Sequence, residues 1–430
     1  MPTLPAEGLW CCLRSVAVAA VLLLSQGCAP AALAPGRAPT DAEVQTLEAR
    51  VARDSSQVVS LVSLGQAYQL RGRTADVIPL LERAASLQPN DPRIGLLLGI
   101  AYEDADRLEE ASERYRGYIA NGQDPALRRQ LDGRLRVLRQ RQLVASARQA
   151  VANEAQLGAT PPAPATVAVF PFLLQTQDST LEPLGRALAE MLVTDLSQTD
   201  RLTVLERLRV QMLINEIQLA ENGLVDPATA ARGGRLLGAG QIVQGSVAGS
   251  EEALQLNAAV VGVSTGTPQV QSARTSTALA RLFDAEKSLA LEIFRVLGIE
   301  LTAAERERVN QRPTENVRAL LAFGLGLEAE DVAAYSLASQ YYNQAFSIDP
   351  TFALARDRAA DAARAAQAAA TSTSALWQIA SSPGVDALAE AEAMVPGMDG
   401  RDAVAELFGQ EGLTGRGSVI RIILRGGGDG

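Results

Sequence analysis

The chain has 430 residues, a net charge of −10 and no histidine. Its length allows two or three domains with their own cores, and its acidity argues against nucleic-acid binding. Without histidine, catalysis by Ser-His or Cys-His pairs and metal sites with histidine ligands are excluded. We therefore expect no enzyme activity, no catalytic residues, no cofactor and no metal.

The amino terminus has the pattern of a secretory lipoprotein signal. Arg14 precedes an apolar run from Val16 to Leu24, which is shorter than the ~20 residues that a membrane-spanning helix needs. Cys28 follows a small residue soon after this run, so we predict that residues 1–27 are removed and that Cys28 is lipidated. Ser25 stands where leucine is usual, and plain secretion with cleavage nearby is the alternative.

Lipid on Cys28 would anchor the mature protein to a membrane, because two or three acyl chains bind stably whereas one is marginal. Ala29 replaces the aspartate that retains many lipoproteins in the inner membrane. This favours the outer membrane, with the protein on its periplasmic face. Residues 28–40 are rich in Pro and Ala and are predicted to form a tether.

A period of 34 residues runs through residues 41–156. Gly65 and Tyr68 recur 34 positions later as Gly99 and Tyr102. This is the period of the tetratricopeptide repeat, in which stacked helix pairs bury a shared core. We predict an all-α domain of tetratricopeptide-like repeats over this range.

A third copy of the repeat is predicted over residues 313–370, where Gly326 and Tyr342 take the small and aromatic positions. A concave repeat surface can bind a peptide or protein, so Tyr68, Tyr102 and Tyr342 are candidate partner contacts. Helical packing with no ligand is the alternative, and the sequence does not decide between the two.

A basic helix is predicted after the first repeats. Residues 126–150 contain seven arginines and one aspartate, and they carry a helical stripe of leucines at 127, 131, 135 and 138. Either the helix is solvated and amphipathic, or it contacts lipid headgroups or an acidic partner. Residues 157–165, which include three prolines, are predicted to be a linker.

Residues 166–305 are predicted to form an α/β domain. A strand over Val167–Phe172 is followed by a helix, a short strand, a second helix and a strand entered through glycines. Leu254–Val263 and Pro268–Ser276 flank a turn and predict a hairpin. A helix from Ala278 to Leu297 closes the unit.

Four stretches within residues 166–300 carry a family resemblance: VAVFPF, LGRALAEMLVTDLSQTDRLTVLERLRVQMLINEIQLAENG, GRLLGAGQIVQGSV and VVGVSTG. Together they resemble the curli secretion-channel family, CsgG/HfaB. The resemblance implies a three-layer α/β domain and an outer-membrane lipoprotein that serves the export or assembly of extracellular fibres. It also implies a homo-oligomeric ring.

Channel members of that family contribute two long hairpins per subunit to a membrane pore. A spanning strand needs ~9–11 residues, but the first insertion point here, Ala248 to Ala253, holds six. At the second point, after Ser276, a helix begins almost at once. We therefore predict a pore-less relative.

The leading hypothesis is a non-enzymatic scaffold lipoprotein that binds protein partners through its repeats. A secretion channel is one alternative, and a lipoprotein regulator of peptidoglycan synthesis is another. Residues 371–430 are predicted to be irregular, with a loop-like stretch from Thr371 to Gly384 and a short strand over Ser418–Leu424.

Overall fold

The computed structural model describes residues 38–157, 162–175, 178–218, 225–250, 253–263 and 269–382. The predicted signal, Cys28 and the Ser418–Leu424 strand lie outside these ranges.

The first described region is helical. Its helices are α1 (Asp41–Arg53), α2 (Val58–Leu70), α3 (Thr74–Leu87), α4 (Pro92–Asp104), α5 (Leu108–Asn121), α6 (Pro125–Ala152) and the short α7 (Glu154–Leu157). The pair α2–α3 and the pair α4–α5 follow one another at the 34-residue offset, each joined by a short turn. Each helix packs on the next along the chain from α1 to α6, so the pairs form a stack with one shared core.

Next comes a mixed sheet flanked by helices. Its strands are β1 (Ala163–Val169), β2 (Leu173–Gln175), β3 (Thr203–Val204), β4 (Ala239–Ser250), β5 (Ala253–Gly262) and β6 (Gln269–Thr277). The order is β3-β1-β4-β5-β6, with β2 paired to β4. Strand β1 runs parallel to β3 and β4, whereas β4, β5 and β6 are antiparallel neighbours. Four helices pack around the sheet: α8 (Leu184–Leu196), α9 (Arg207–Glu216), α10 (Pro227–Leu237) and α11 (Leu282–Val296).

The sheet is buried on both faces, as alternation along β1 shows. Val167 and Val169 belong to a core shared with α8 and α11. Ala168 and Phe170 belong to a second core shared with α9 and α10. Successive strand residues point to opposite faces, so these two cores lie on opposite sides of the sheet. This is the three-layer α/β arrangement that the sequence predicts.

Helix α6 takes part in two of these cores. Leu127, Leu131 and Leu138 are buried in the core of the repeats. Leu143 and Ala147, further along the same helix, are buried in the core beneath the sheet. At 28 residues, or about 42 Å, α6 is long enough to join the two regions.

The last described region is helical again. It contains α12 (Ala303–Val309), α13 (Val317–Asp331), α14 (Tyr335–Ile348), α15 (Ala353–Ala370) and α16 (Thr373–Ala380). Helix α13 packs on α8 of the sheet layer, α15 packs on α6, and α16 packs on α4. The C-terminal helices therefore continue the N-terminal stack in space, and the α/β domain is inserted in sequence between its two parts. The predicted fold class, an α/β domain flanked by helical repeats, is confirmed.

Two predicted segments differ from the structure. Strand β1 begins at Ala163, inside the predicted linker, and its register to β4 shifts before Val167. The prolines there suit an irregular strand start, because proline removes a ladder donor. The second difference is α16, which lies in the stretch predicted to be loop-like. A helix of eight residues is too short to be stable alone and depends on packing against α4.

Gly133 tests whether the two helical regions form one stack. A Cβ atom at Gly133 in α6 would lie 2.3 Å from the backbone oxygen of Arg364 in α15. Gly133→Ala should therefore force the helices apart and lower the free energy of unfolding by about 1–3 kcal/mol.

Gly117→Ala in α5 is the control, because nothing lies within 4 Å of its new Cβ atom. It should stabilise the protein by about 0.5–1 kcal/mol through helix propensity. Urea unfolding of both variants measures the difference, and equal stabilisation would contradict the packing of α15 on α6.

Candidate partner-binding surface

Tyr68 and its neighbours form a clamp between successive helix pairs. The Tyr68 hydroxyl donates to Glu48 of α1 at 2.7 Å. The guanidinium of Arg73, at the start of α3, lies 3.8 Å from the centre of the Tyr68 ring and also pairs with Glu48 at 3.3 Å. Asp76, in the first turn of α3, pairs with Arg73 at 2.8 Å. The aromatic ring is thus fixed by a hydrogen bond at its tip and a cation on its face.

The same clamp recurs 34 residues later with every partner shifted by the repeat length. The Tyr102 hydroxyl donates to Glu82 at 2.8 Å, and Arg107 lies 4.3 Å from the ring centre. Glu110 takes the place of Asp76 and pairs with Arg107 at 2.9 Å. The sequence analysis found the two tyrosines but missed their partners, although the Glu48/Glu82 and Arg73/Arg107 pairs carry the same 34-residue echo.

The three candidate tyrosines therefore occupy packing positions. Tyr342 is fully buried, donates to Glu330 at 2.9 Å, and its ring centre lies 5.2 Å from that of Phe323. Burial raises its pKa well above the usual range, and the Glu330 charge adds to this rise. The Tyr342 ring thus packs between helices, and no part of it reaches the surface. Tyr68 and Tyr102 are 8% and 5% exposed, and partner contact there stays a prediction.

A buried ionic junction ties the C-terminal helices to the α/β domain. Arg207, the first residue of α9, pairs with Glu190 of α8 at 3.2 Å and with Asp331 of α13 at 2.6 Å. Its side chain is 5% exposed. Arg358 of α15 pairs with the other oxygen of Glu190 at 2.5 Å and with Glu330 at 3.4 Å. One set of carboxylates thus holds four helices in a fixed relation.

The charges of this junction balance. Burial alone lowers the pKa of Arg207, but Asp331, Glu190 and Glu330 together raise it above its ordinary value, so the guanidinium stays charged. Arg186 supplies a further cation to Asp331 at 3.2 Å. Buried carboxylates of this kind need paired cations, because desolvation of an unpaired charge is costly.

The basic helix predicted over residues 126–150 is partly buried, and several of its arginines pair with acidic groups of this chain. Arg134 is buried and pairs with Glu103 of α4 at 2.8 Å. Arg141 pairs with Asp106 at 2.8 Å, and Arg139 pairs with Glu206 at 2.8 Å. Most of the arginines in this helix therefore form ion pairs with acidic groups of neighbouring elements. Sequence composition shows the arginines but not their partners, which lie far away in the chain.

The inner helix of the second repeat, α4, is covered on every side. Each residue from Leu96 to Glu103 is buried. Leu376, Trp377 and Ala380 of α16 are buried in the same core. A helix that is apolar all round requires cover on all faces, and α16 supplies the last of it.

A buried triad lies between α8 and α11 of the α/β domain. The Lys287 amine donates to both oxygens of Asp195 at 2.8 Å and lies 3.3 Å from Glu286. Burial, followed by the negative charge of Asp195, raises the pKa of Glu286 well above its usual range, although Lys287 opposes this. The single lysine of the chain is thus the buried counter-ion of Asp195.

An open polar depression of about 750 Å³ lies beside the turns that precede α13 and α15. Its charged side chains already have partners in the chain: Arg312 pairs with Glu315 at 3.0 Å, and Asp349 accepts from Thr314 at 2.5 Å. In the part of the chain that the structure covers, no group of three acidic or thiol side chains is placed to hold a metal ion. None of the helices within those same ranges has the length and apolar character needed to cross a bilayer.

Comparison with known proteins gives two family matches. Residues 148–273 match the family described as the curli production assembly/transport component CsgG, and residues 69–131 match the tetratricopeptide repeat. The chain is thus CsgG-like with tetratricopeptide-like repeats, as its sequence predicts. No curated protein matches the chain. Among solved structures, the C-terminal domain of LpoB from Salmonella enterica is similar over 32% of this chain and 98% of that chain, with 18% identity and a TM-score of 0.23.

Arg207 tests the ionic junction. Arg207→Leu removes the shared cation and leaves Glu190 and Asp331 short of a partner, so the free energy of unfolding should fall by about 3–5 kcal/mol. Arg139→Leu is the control, because the Arg139–Glu206 pair joins α6 to the start of α9 at the surface and should contribute about 0–1 kcal/mol. Chemical denaturation of both variants measures these free energies of unfolding. Equal losses would show that the buried junction stabilises the fold no more than the surface ion pair does.

Glu286 predicts a pH dependence of stability. Its folded pKa lies above its unfolded value, so its stabilising contribution is fully present below about pH 4.5 and is lost as the pH rises through the folded pKa. Glu286→Gln should therefore flatten the fall in unfolding free energy as the pH rises above about 4.5. Glu292→Gln, a surface change on the same helix, should leave that fall in place. If Glu286→Gln leaves the profile unchanged, the carboxyl group does not titrate with a raised pKa.

Proposed function

We propose that this protein is a non-enzymatic lipoprotein of the curli secretion and assembly type, which scaffolds the export or assembly of cell-surface protein. Partner proteins would bind its helical repeats. The observation that carries the proposal is the rigid coupling of a CsgG-like domain to a repeat stack through α6 and the Arg207 junction. A partner bound on the repeats would be held at a fixed position relative to the α/β domain.

The proposed anchor is lipid on Cys28, at the periplasmic face of the outer membrane. Support comes from the sequence pattern before Cys28. The Thr40 side chain caps α1, and the Thr40 amide donates to the Glu43 carboxylate, so α1 begins directly after Thr40. Thr40 lies twelve positions after Cys28, which allows a reach of up to about 40 Å from the membrane.

We further propose that the α/β domain does not line a pore. Strands β4 and β5 are paired up to Ser250 and Ala253, so only residues 251–252 join them. Strand β6 ends at Thr277, and α11 begins at Leu282 after one short turn. Both points at which channel relatives insert long hairpins are thus closed by short connections in this chain.

The anchor is tested by mass measurement of the mature amino terminus from membrane-extracted protein. We expect a chain that begins at Cys28 and carries acyl chains. Cys28→Ala should abolish acylation, whereas Cys12→Ala, a change inside the predicted signal, should not. An unmodified Cys28 in the membrane fraction would exclude the lipoprotein proposal.

The scaffold function is tested in cells that produce the protein. Deletion should remove a specific set of proteins from the cell surface, and the wild-type chain should restore them. Arg207→Leu should restore less than Arg139→Leu, because only the former removes a buried link between the C-terminal helices and the α/β domain. A surface proteome that is unchanged by deletion would rule out a role in export or assembly.

A further inference from the structure

Helix α4 carries more apolar surface than its own stack can cover. Leu96, Leu97, Leu98 and Ile100 are at most 1% exposed, and they point in successive directions around the helix. Neighbours in the repeat stack, α3 and α5, cover two sides of α4. The remaining side is covered by α16, which arrives from the far end of the chain. Removal of α16 would therefore expose an apolar groove on α4.

The fit of α16 in this groove is incomplete. The helix has eight residues, fewer than a helix needs to be stable by itself. Trp377 is 2% exposed, yet its indole N–H finds no acceptor among the described residues. A buried donor without an acceptor weakens the docked state relative to the solvated one. Ile379, on the outer side of α16, is 39% exposed.

A fixed hinge precedes α16. Arg134 donates to the backbone oxygen of Ala368 at 2.6 Å and to that of Thr371, while it pairs with Glu103 of α4. Both carbonyl groups lie before Ser372, the residue that caps α16. Helix α16 can therefore leave its groove while α15 stays locked to α6.

We propose that the groove on α4 is a binding site for an amphipathic helix of a partner protein, and that α16 is its resident, displaceable occupant. The proposal rests on the scaffold function and identifies the client by chemistry. The buried residues of α16, Leu376, Trp377 and Ala380, define the inserted face as apolar, with one large aromatic anchor. Thr373–Ala380 contains no charged residue, so the client face is uncharged as well. This is helix-in-groove recognition with a built-in competitor.

The short covalent connection between α15 and α16 sets the balance between binding of α16 and binding of a client. A segment joined by a short connection competes at an effective concentration in the millimolar range. A free helix can bind only those molecules in which α16 has left the groove. Its apparent affinity is therefore the affinity for the empty groove multiplied by the fraction of such molecules. Weakening α16 should raise that affinity with no change in the groove itself.

The test uses a fluorescein-labelled peptide of residues 372–382 and the full chain. Fluorescence anisotropy should show binding to the Trp377→Ala chain at least tenfold tighter than to the wild-type chain. Ile379→Ala is the matched control, and it should bind the peptide as weakly as the wild type does. A peptide that carries Trp377→Ala should bind none of the three proteins.

Two results would overturn the proposal: no binding of the peptide to a folded Trp377→Ala chain, or equal binding to the wild-type chain. If Trp377→Ala does not fold, hydrogen exchange of the wild-type protein decides. The amides of α16 should then exchange at least tenfold faster than those of α4 and α15, and equal rates would refute displacement. Failure of the scaffold function is distinguishable, because peptide binding does not depend on any cellular client.

Discussion

The structure depends on one helix that belongs to two hydrophobic cores. The first half of α6 closes the core of the N-terminal repeats, and its second half covers one face of the sheet. A continuous helix cannot bend freely between its halves, since its backbone hydrogen bonds run through every turn. The repeat stack and the α/β domain are therefore parts of one body. Gly133 of α6 lies against the backbone of α15, so the C-terminal helices pack on α6 as well.

Buried arginines fix how these helices are oriented relative to one another. Arg134 joins α4, α6 and the end of α15, and Arg207 joins α8, α9 and α13. A planar guanidinium with five donors can bridge several acceptors at fixed angles, which an ammonium group cannot do. These ion pairs cost desolvation, so they specify the arrangement of helices more than they add stability. A scaffold that holds a partner against an α/β domain requires such a fixed arrangement.

The sequence predicted the local and periodic features of this fold. Strand alternation, helix stripes and the 34-residue echo depend on neighbours in the chain, and they predicted the fold class, an α/β domain with helical repeats. Features that depend on distant partners were missed. The cover of α4 by α16, the acidic partners of the α6 arginines and the burial of Lys287 join residues separated by tens to hundreds of positions. The tyrosines at 68, 102 and 342 were found by their positions in the repeat. Those positions do not show whether a tyrosine packs between helices or binds a partner protein.

The central claim is that α6 makes the repeats and the α/β domain one cooperative body. Native-state hydrogen exchange in rising denaturant measures it directly, because it gives the opening free energy of each helix. The account predicts that amides around Leu131 and Leu143 of α6, and those of α4, α8 and α15, converge on one common free energy. If the first half of α6 and the repeats exchange at a lower free energy, while the second half and α8 stay protected, the regions unfold separately and the claim is wrong.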